Sequence, residues 1–335
     1  MTVSATDRNA PDHGGTDHGG PGPRAAGAGR PRTATSVRLV CLALAVGLCQ
    51  LFVLPLWLLP ADPAWGWALV PLALTATPLW SLVHEGIHGT LLAGRPWNDR
   101  CGRALAVFHG APFVVLKTGH LLHHRYSRTP RERTEVYDAR TTTWARTAPG
   151  YYARLLGGLH LMESASVLLA PLPATVLRRL ARSAEAPDTV AGLLLGRLAR
   201  PRALRQLRTD AAAVVALHAA AFAAYGGHAW MLGAALAGRA LVVSLSDNAY
   251  HYATPLDAPL QAMNLRLPRP LEAFALGFNL HGVHHRHPGL PWSALRVRFA
   301  REGGRYDLGW MPAVARQLRG PVRAGPMSRR TGGPR

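Results

Sequence analysis

Two long stretches without a charged residue constrain the fold of this chain more than any other feature. Residues 39–60 and 64–83 are predominantly apolar and contain no Asp, Glu, Lys or Arg. A helix of about 20 apolar residues crosses the hydrocarbon core of a bilayer, where every backbone polar group must be satisfied internally. Only residues 61–63 separate the two stretches. They therefore predict two transmembrane helices joined in a tight hairpin.

An alanine-rich region later in the chain predicts a second hairpin. Residues 211–229 and 231–246 are largely apolar, with Arg239 as their only Asp, Glu, Lys or Arg. Each stretch is long enough for a membrane helix, or nearly so. The expected fold is therefore an all-α integral membrane protein with about four transmembrane helices in two hairpins.

Two further apolar segments are interrupted by proline. Residues 104–116 contain Pro112, and residues 157–177 contain Pro171 and Pro173. Proline removes a helical hydrogen bond and clashes with the preceding turn. We therefore expect both segments to dip into the membrane or lie on it, and not to cross it once.

The distribution of arginine predicts the orientation. The chain has 335 residues and a formal net charge of +20, although only 17% of its residues are charged. Arginines gather in residues 24–38 and 178–208, whereas the turns at 61–63 and 229–231 have no Lys or Arg. By the positive-inside rule, the arginine-rich side and both termini are cytoplasmic. A basic cytoplasmic face explains the net charge without nucleic acid, and we expect no nucleic-acid partner.

The two ends of the chain differ in composition from the rest. Residues 1–36 are rich in Gly, Pro, Ala and Thr without apolar periodicity, and residues 319–335 are similar. Such composition does not bury enough apolar surface to fold. The sequence therefore predicts a membrane domain over 37–318 between two disordered tails.

Three clusters of histidine follow the apolar segments. The clusters read "HEGIH" (His84, His88), "HLLHH" (His120, His123, His124) and "HGVHH" (His281, His284, His285). On a helix, residues three and four apart lie on one side, so each cluster directs its imidazoles toward one place. In a chain with 16 histidines, one H-x-x-H-H is expected by chance about 0.04 times. Imidazole suits Zn, Cu, Fe and Ni, and eight imidazoles are more than one ion needs.

The histidine clusters and the words around them resemble the membrane fatty acid desaturases and their hydroxylase and carotenoid-ketolase relatives. Segments such as "GHLLHHRYSRTP" and "FNLHGVHHRHPGLPW" are similar to those of the family. The resemblance implies a cytosolic helical cap with a histidine-rich di-iron site, O₂ as co-substrate and a lipid substrate at the membrane. It also implies a separate electron donor, such as ferredoxin or a cytochrome b5-like protein.

The resemblance also implies which residues bind the metals, including one that the spacing of the clusters does not indicate. All eight clustered histidines would bind the two irons (Fe²⁺/Fe³⁺), and His251 in "SDNAYHYATPLD" would be a ninth ligand. Glu85, Asp247 and Asn248 are candidates for hydrogen bonding to a ligand or to bound water. The family pattern has an Asn about four residues before this histidine, where this chain has Asp247 and places Asn248 one residue later.

Three functions remain open at this point. The first is an O₂-dependent desaturase that introduces a double bond into a fatty acyl or lipid chain. The second is hydroxylation or ketolation of a lipid or terpenoid on the same di-iron site. The third, a non-enzymatic metal-binding protein, is weaker because its histidines should follow a path through the spans. The isolated His109, His160, His218 and His228 are expected to be packed or interfacial, and His287 an extra imidazole beside a complete cluster.

Overall fold

The computed structural model of the chain describes residues 33–184, 189–258 and 260–324. Most of the predicted tails, 1–32 and 325–335, lie outside the described residues. Within the described residues the chain is mostly helical and offers between two and four candidate membrane spans. The expected all-α membrane class is confirmed.

The first helix, α1, runs from Thr33 to Ala61. Its first residues, from Thr33, lie within the predicted tail 1–36. In this part of the helix Ser36 is buried, and its hydroxyl oxygen lies 3.5 Å from the indole nitrogen of Trp292. A π-helical segment, Cys49–Leu58, surrounds Pro55. A proline has no N–H to donate, so the wider turn accommodates it. The helix ends at Ala61, and the side chain of the next residue, Asp62, accepts a hydrogen bond from the Ala64 backbone.

The second predicted span is bent. A 3₁₀ turn, Pro63–Ala68, and α2, Leu69–Leu74, lead into α3, Ala76–His88. The bend between them is 41°. At the bend, the Thr75 hydroxyl donates to the Leu72 carbonyl and so competes with the helical pattern. Helix α3 carries the first histidine cluster beyond the predicted end of the span.

The segment 104–116 is broken as expected. Helix α4, Arg95–His109, and α5, Phe113–Tyr126, meet at an angle of 101°. Gly110 takes a positive φ of 97°, which favours glycine, and Pro112 precedes the new helix. This turn redirects the chain, and the second histidine cluster lies on α5.

Helix α4 packs very closely against α3. A Cβ on Gly86 would lie 3.0 Å from the Gly102 Cα, and a Cβ on Gly102 would lie 2.8 Å from the Phe113 Cζ. Phe113 is 1% exposed. Small residues that let helix backbones approach are typical of membrane interfaces. The two glycines therefore set the position of the helix that carries His84 and His88.

The segment 157–177 is also interrupted, at Gly157 as well as at its prolines. Gly157 has a φ of +117° inside a π-helical stretch, and after the α-helical residues Leu159–Ala165 the chain continues as a 3₁₀ segment, turn and coil as far as Pro173. The surrounding helices are short, as follows: α6, Trp144–Ala153; α7, Leu159–Ala165; α8, Ala174–Ser183; α9, Val190–Leu198.

The second hairpin consists of α10, Pro201–Tyr225, and α11, Ala229–Ala249, joined by a 3₁₀ turn at Gly226. The Tyr225 hydroxyl donates to the Gln50 carbonyl, and Arg239 donates to the Gln50 side chain. Arg239 also donates to the Phe108 carbonyl at 2.8 Å, and His218 Nε2 lies 3.6 Å from where a Cβ on Gly110 would be. On one continuous helix His218 and Arg239 would be about 32 Å apart, so the chain must reverse. Both helices are longer than the stretches predicted at 211–229 and 231–246.

The last part of the chain folds over the ends of the hairpins as short helices and two small parallel strand pairs. The helices are α12, Arg269–Phe274; α13, His281–Arg286; α14, Trp292–Arg301; and α15, Trp310–Gln317. Strand β1, Val136–Tyr137, pairs with β4, Val322–Arg323, and β2, Leu265–Arg266, pairs with β3, Leu308–Gly309. Strand β4 lies within residues 319–335, which the sequence predicts as a tail.

Candidate metal centre

The first histidine cluster occupies the last turn of α3. His84 is 3% exposed, and His88 stands one turn later on the same side. Gly89 ends the helix with a positive φ of 75°, and its N–H bonds back to the Gly86 carbonyl. The helix thus stops directly after presenting its two imidazoles.

The third cluster lies on α13, a helix of only six residues. Its histidines are almost completely buried, with His281 2%, His284 3% and His285 0% exposed. Asn264 fixes this helix, because its side-chain oxygen accepts the Val283 N–H at 3.0 Å. Gly282 packs so closely that a Cβ would lie 2.4 Å from the Ala262 carbonyl oxygen. The imidazoles are therefore held by tight packing as well as by helix geometry.

The nine predicted histidines converge in two groups, and in each group the candidate ligand atoms lie within 4.8 Å of one another. The five-histidine group contains His84, His88, His120, His124 and His284. The four-histidine group contains His123, His251, His281 and His285.

The division between the groups follows helix geometry inside each cluster. The pairs separated by four residues stay together: His84 with His88, His120 with His124, and His281 with His285. The remaining residues, His123 and His284, each turn about 100° from a neighbouring histidine and join the other group. Clusters two and three therefore each contribute to both groups.

The nitrogen atoms within each group are spaced as metal ligands would be. In the five-histidine group, successive Nε2 atoms of His88, His120, His124 and His284 lie 2.9, 3.0 and 3.0 Å apart. In the other group, His251 Nε2 lies 3.1 Å from that of His123 and 3.2 Å from that of His281. Two bonds of about 2.1 Å at right angles place ligand nitrogens about 3 Å apart. Each group therefore fits one metal ion.

Burial favours the neutral, metal-binding form of most of these imidazoles; the exception is His123, because the Glu132 carboxylate raises its pKa against the effect of burial. Burial lowers the pKa of His251, His281 and His284 well below the ordinary value, and neighbouring imidazoles lower it further. The neutral ring has a free lone pair for a cation. The buried His84 Nε2 has no hydrogen-bond partner among the described residues, as expected for an atom whose partner is a metal.

The two groups are adjacent. The rings of His124 and His285 stack with centroids 4.3 Å apart, although the residues belong to different groups. His284 and His285 are also neighbours on α13. The arrangement can hold two metal ions side by side.

Glu132 contacts the centre and was not anticipated from the sequence. Its Oε1 lies 2.9 Å from His123 Nδ1, on the side of the ring away from the other imidazoles. Burial alone would raise the pKa of Glu132, but His123, Arg154 and Arg128 lower it below its ordinary value. An ionised carboxylate that accepts the second N–H of a ligand histidine fixes the tautomer and increases its basicity.

The three polar candidates near the clusters make other contacts. Glu85 is buried, and its Oε2 accepts hydrogen bonds from the Thr90 hydroxyl and the Trp292 N–H. The Asn248 amide donates to the Gln317 side chain at 2.7 Å. Asp247 lines a cavity of about 50 Å³ that also reaches His123 and His251. Of the three, Asp247 and Asn248 line this cavity beside the four-histidine group.

His287 lies apart from both groups. Its Nε2 is 2.7 Å from Glu302, and its side chain is 30% exposed. This placement agrees with its interpretation as an extra imidazole. It also gives the protein a second histidine–glutamate contact that resembles His123–Glu132 but lies outside the centre.

A helical membrane protein with two converging groups of imidazoles is a histidine-cluster membrane metalloprotein. The sequence model described as "Fatty acid desaturase" matches residues 64–310. The chain belongs to this family, whose members are membrane oxidoreductases of the desaturase and hydroxylase type. No curated protein matches the chain significantly.

Replacing Glu132 by glutamine is expected to lower turnover or iron affinity about 10- to 100-fold, the usual cost of losing a hydrogen bond to a ligand histidine. The amide keeps the shape but not the charge facing His123 Nδ1. Iron content and turnover of the purified variant measure the effect. Glu302→Gln is the matched control, because it changes the same contact at His287 and should leave both unchanged. Equal losses in the two variants would contradict a role at the centre.

Proposed function

We propose that the protein is an O₂-dependent di-iron oxidoreductase of the membrane that introduces a double bond into a fatty acyl or lipid chain. The observation that carries the proposal is the gathering of nine imidazoles into two adjacent groups. Family membership supports the lipid substrate and the membrane setting. Imidazole-rich sites suit iron, and we assign one iron to each group.

Two irons bound there would supply the O₂ chemistry, in which two hydrogens leave adjacent carbons while two donor electrons and two protons complete the reduction of O₂ to water. The residues around the two histidine groups form two borders of different chemistry. Phe278 and Trp80 pack on His84, with ring centroids 5.0 and 6.4 Å away, and Tyr250 packs on His281 at 4.7 Å. These rings form an apolar border that suits an alkyl chain and excludes water.

The opposite border is polar. The cavity of about 50 Å³ beside His123 and His251 is lined by Glu132, Arg154 and Asp247, among others. In the proposed reaction, protons enter and water leaves through this side. An apolar border for the substrate and a polar border for protons are what a desaturation at a buried centre needs.

Expression in a host with a defined lipid pool, followed by mass spectrometry of the lipids, tests the reaction. A desaturase yields products that have lost two hydrogens. Hydroxylation adds one oxygen atom, and that outcome would replace desaturation by the alternative reaction. Purified protein that contains zinc and no iron in the two groups would overturn the oxygenase proposal altogether.

We propose an acidic protein, such as ferredoxin or a cytochrome b5-like protein, as the electron donor. The exposed Arg125 and Arg286 and the half-buried Arg298 lie beside the second and third clusters, the last two around the single carboxylate of Glu302. Opposite charges steer encounter, and salt screens them. The KM for a reduced acidic ferredoxin should therefore rise several-fold between low and high salt. Turnover with a small chemical reductant is the control, and a KM that does not change with salt would contradict the proposal.

We propose that the metal centre and both termini face the cytoplasm, as the arginine distribution indicates. Single cysteines introduced by Ala61→Cys and Arg182→Cys, both at exposed positions, test this orientation. The background is a chain whose Cys41, Cys49 and Cys101 are replaced by serine. An impermeant maleimide should label Arg182→Cys only from the cytoplasmic side and Ala61→Cys only from the other. Labelling of both from one side would contradict the topology.

A further inference from the structure

The bend after α4 brings a second kind of polar cluster together, outside the nine histidines. His109, at the end of α4, meets His160 and Glu163 on α7, and their candidate ligand atoms all lie within 4.8 Å of one another. Glu163 Oε2 is 3.4 Å from His160 Nδ1 and 3.9 Å from His109 Nε2. We call these three residues the Glu163 cluster. From the sequence, both histidines are expected to be isolated packed or interfacial residues.

His109 has an unusual environment for a packed histidine. It is 0% exposed, and neither ring nitrogen has a hydrogen-bond partner among the described residues. The 3.9 Å separation from Glu163 is too long for a hydrogen bond. A buried polar group left without a partner costs about 1–3 kcal/mol. A ligand that engages Nε2 would remove part of that cost.

Glu163 is the second unusual group. Its neighbours on α7, Leu161 and Met162, are 59% and 57% exposed, so the carboxylate lies beside an apolar surface. Among the described residues, Glu163 is within ion-pair distance of His109 and His160. Ionisable groups in such surroundings are costly, are usually paired and mark functional sites. A divalent cation held between the carboxylate and the two imidazoles would balance the charge of Glu163.

We propose that the Glu163 cluster is a third metal site, separate from the two histidine groups, which binds one divalent cation of the zinc type. Two imidazoles and one carboxylate form a common zinc ligand set that leaves a further position for water. Ligand atoms on a zinc ion lie about 3.0–3.5 Å apart. The observed separations of 3.4 and 3.9 Å therefore need only a small contraction around the ion.

The position of the cluster indicates its role. A cation there joins the end of α4 to α7 and so braces the 101° turn that directs α5, with the second histidine cluster, toward the centre. The Trp80 ring lies between the two sites: its centroid is 5.2 Å from that of His109 and 6.4 Å from that of His84. The proposed site is thus a structural brace one aromatic ring from the five-histidine group. It does not depend on which metal the histidine groups hold.

Counting two metals in the same sample tests the proposal. Iron-loaded protein is incubated with Zn²⁺, freed of unbound metal, and analysed for both elements. Wild-type protein should gain one zinc per chain without losing iron, and Zn²⁺ should raise its Tm, because a ligand that binds only the folded state stabilises it. No zinc gained, or zinc gained only as iron is lost, would overturn the proposal.

Two variants and one control locate the zinc. Glu163→Gln keeps the side-chain shape, and His109→Ala removes the buried ring; each should lose the zinc and the zinc-dependent rise in Tm while iron remains. His218→Gln is the control. His218 is a neighbouring histidine, partly buried, whose Nδ1 lies 3.0 Å from the Val214 carbonyl, and the variant should keep the zinc. Zinc retained in Glu163→Gln would place the ion elsewhere, and the proposal would fail even if the iron chemistry stands.

Discussion

Replacing His251 by alanine is expected to reduce turnover by more than about 100-fold, because even partners outside the ligand set are worth about 10- to 100-fold. His251 Nε2 lies between those of His123 and His281, at 3.1 and 3.2 Å. Its removal leaves the four-histidine group with three imidazoles. Iron in the purified variant should fall toward one ion per chain, since the five-histidine group is intact.

The control for this experiment is His287→Ala. His287 is close to Glu302 and contributes to neither group, so its loss should leave iron content and turnover nearly unchanged. A His251→Ala protein with full iron and full activity would mean that this histidine is only packed beside the centre. Loss of both irons would mean that the two groups do not fill independently.

Replacing Gly102 by valine should destabilise the protein by at least about 1–3 kcal/mol, the usual cost of overpacking. Even a single Cβ there would lie 2.8 Å from the Phe113 ring, and Gly86 faces it from α3. Since α3 cannot move without carrying His84 and His88, the iron content should fall together with the Tm.

The matched control is Gly233→Val, at a helical glycine of α11 whose added Cβ would meet nothing within 4 Å. It should change the Tm little. If Gly102→Val lowered the Tm but left the iron content intact, α3 and α4 could separate without disturbing the metal centre. If it changed neither, the close approach of the two helices would not be needed.

The direction of the imidazoles could be predicted from the sequence because it depends on local helix geometry. The pairs four residues apart, such as His120 and His124, do point to one place. Their assignment to groups could not be predicted, since it depends on how α3, α5 and α13 meet. His123 and His124 are adjacent in the chain but belong to different groups.

The membrane helices could also be predicted, because they depend on local runs of apolar residues. The polar contacts between distant segments could not. Pro112 correctly predicted a break, but the 101° angle at that break and the proximity of His109 to Glu163 are tertiary properties. Glu132 lies in an arginine-rich loop with no distinguishing pattern, and only the fold of that loop brings it to His123. Contacts between distant segments arise from packing, which one sequence does not encode in any local spacing.

The division of ligands between the two histidine groups determines when, during synthesis of the chain, each group can form. Three members of the four-histidine group, His251, His281 and His285, follow residue 250, and the five-histidine group is completed only by His284. A nascent chain that has already inserted its first hairpin therefore cannot yet form either group. Because metal binding is coupled to folding, we expect the metals to be loaded only after both hairpins have been synthesised. A chain truncated before residue 281 would be inserted but would remain without a complete redox centre.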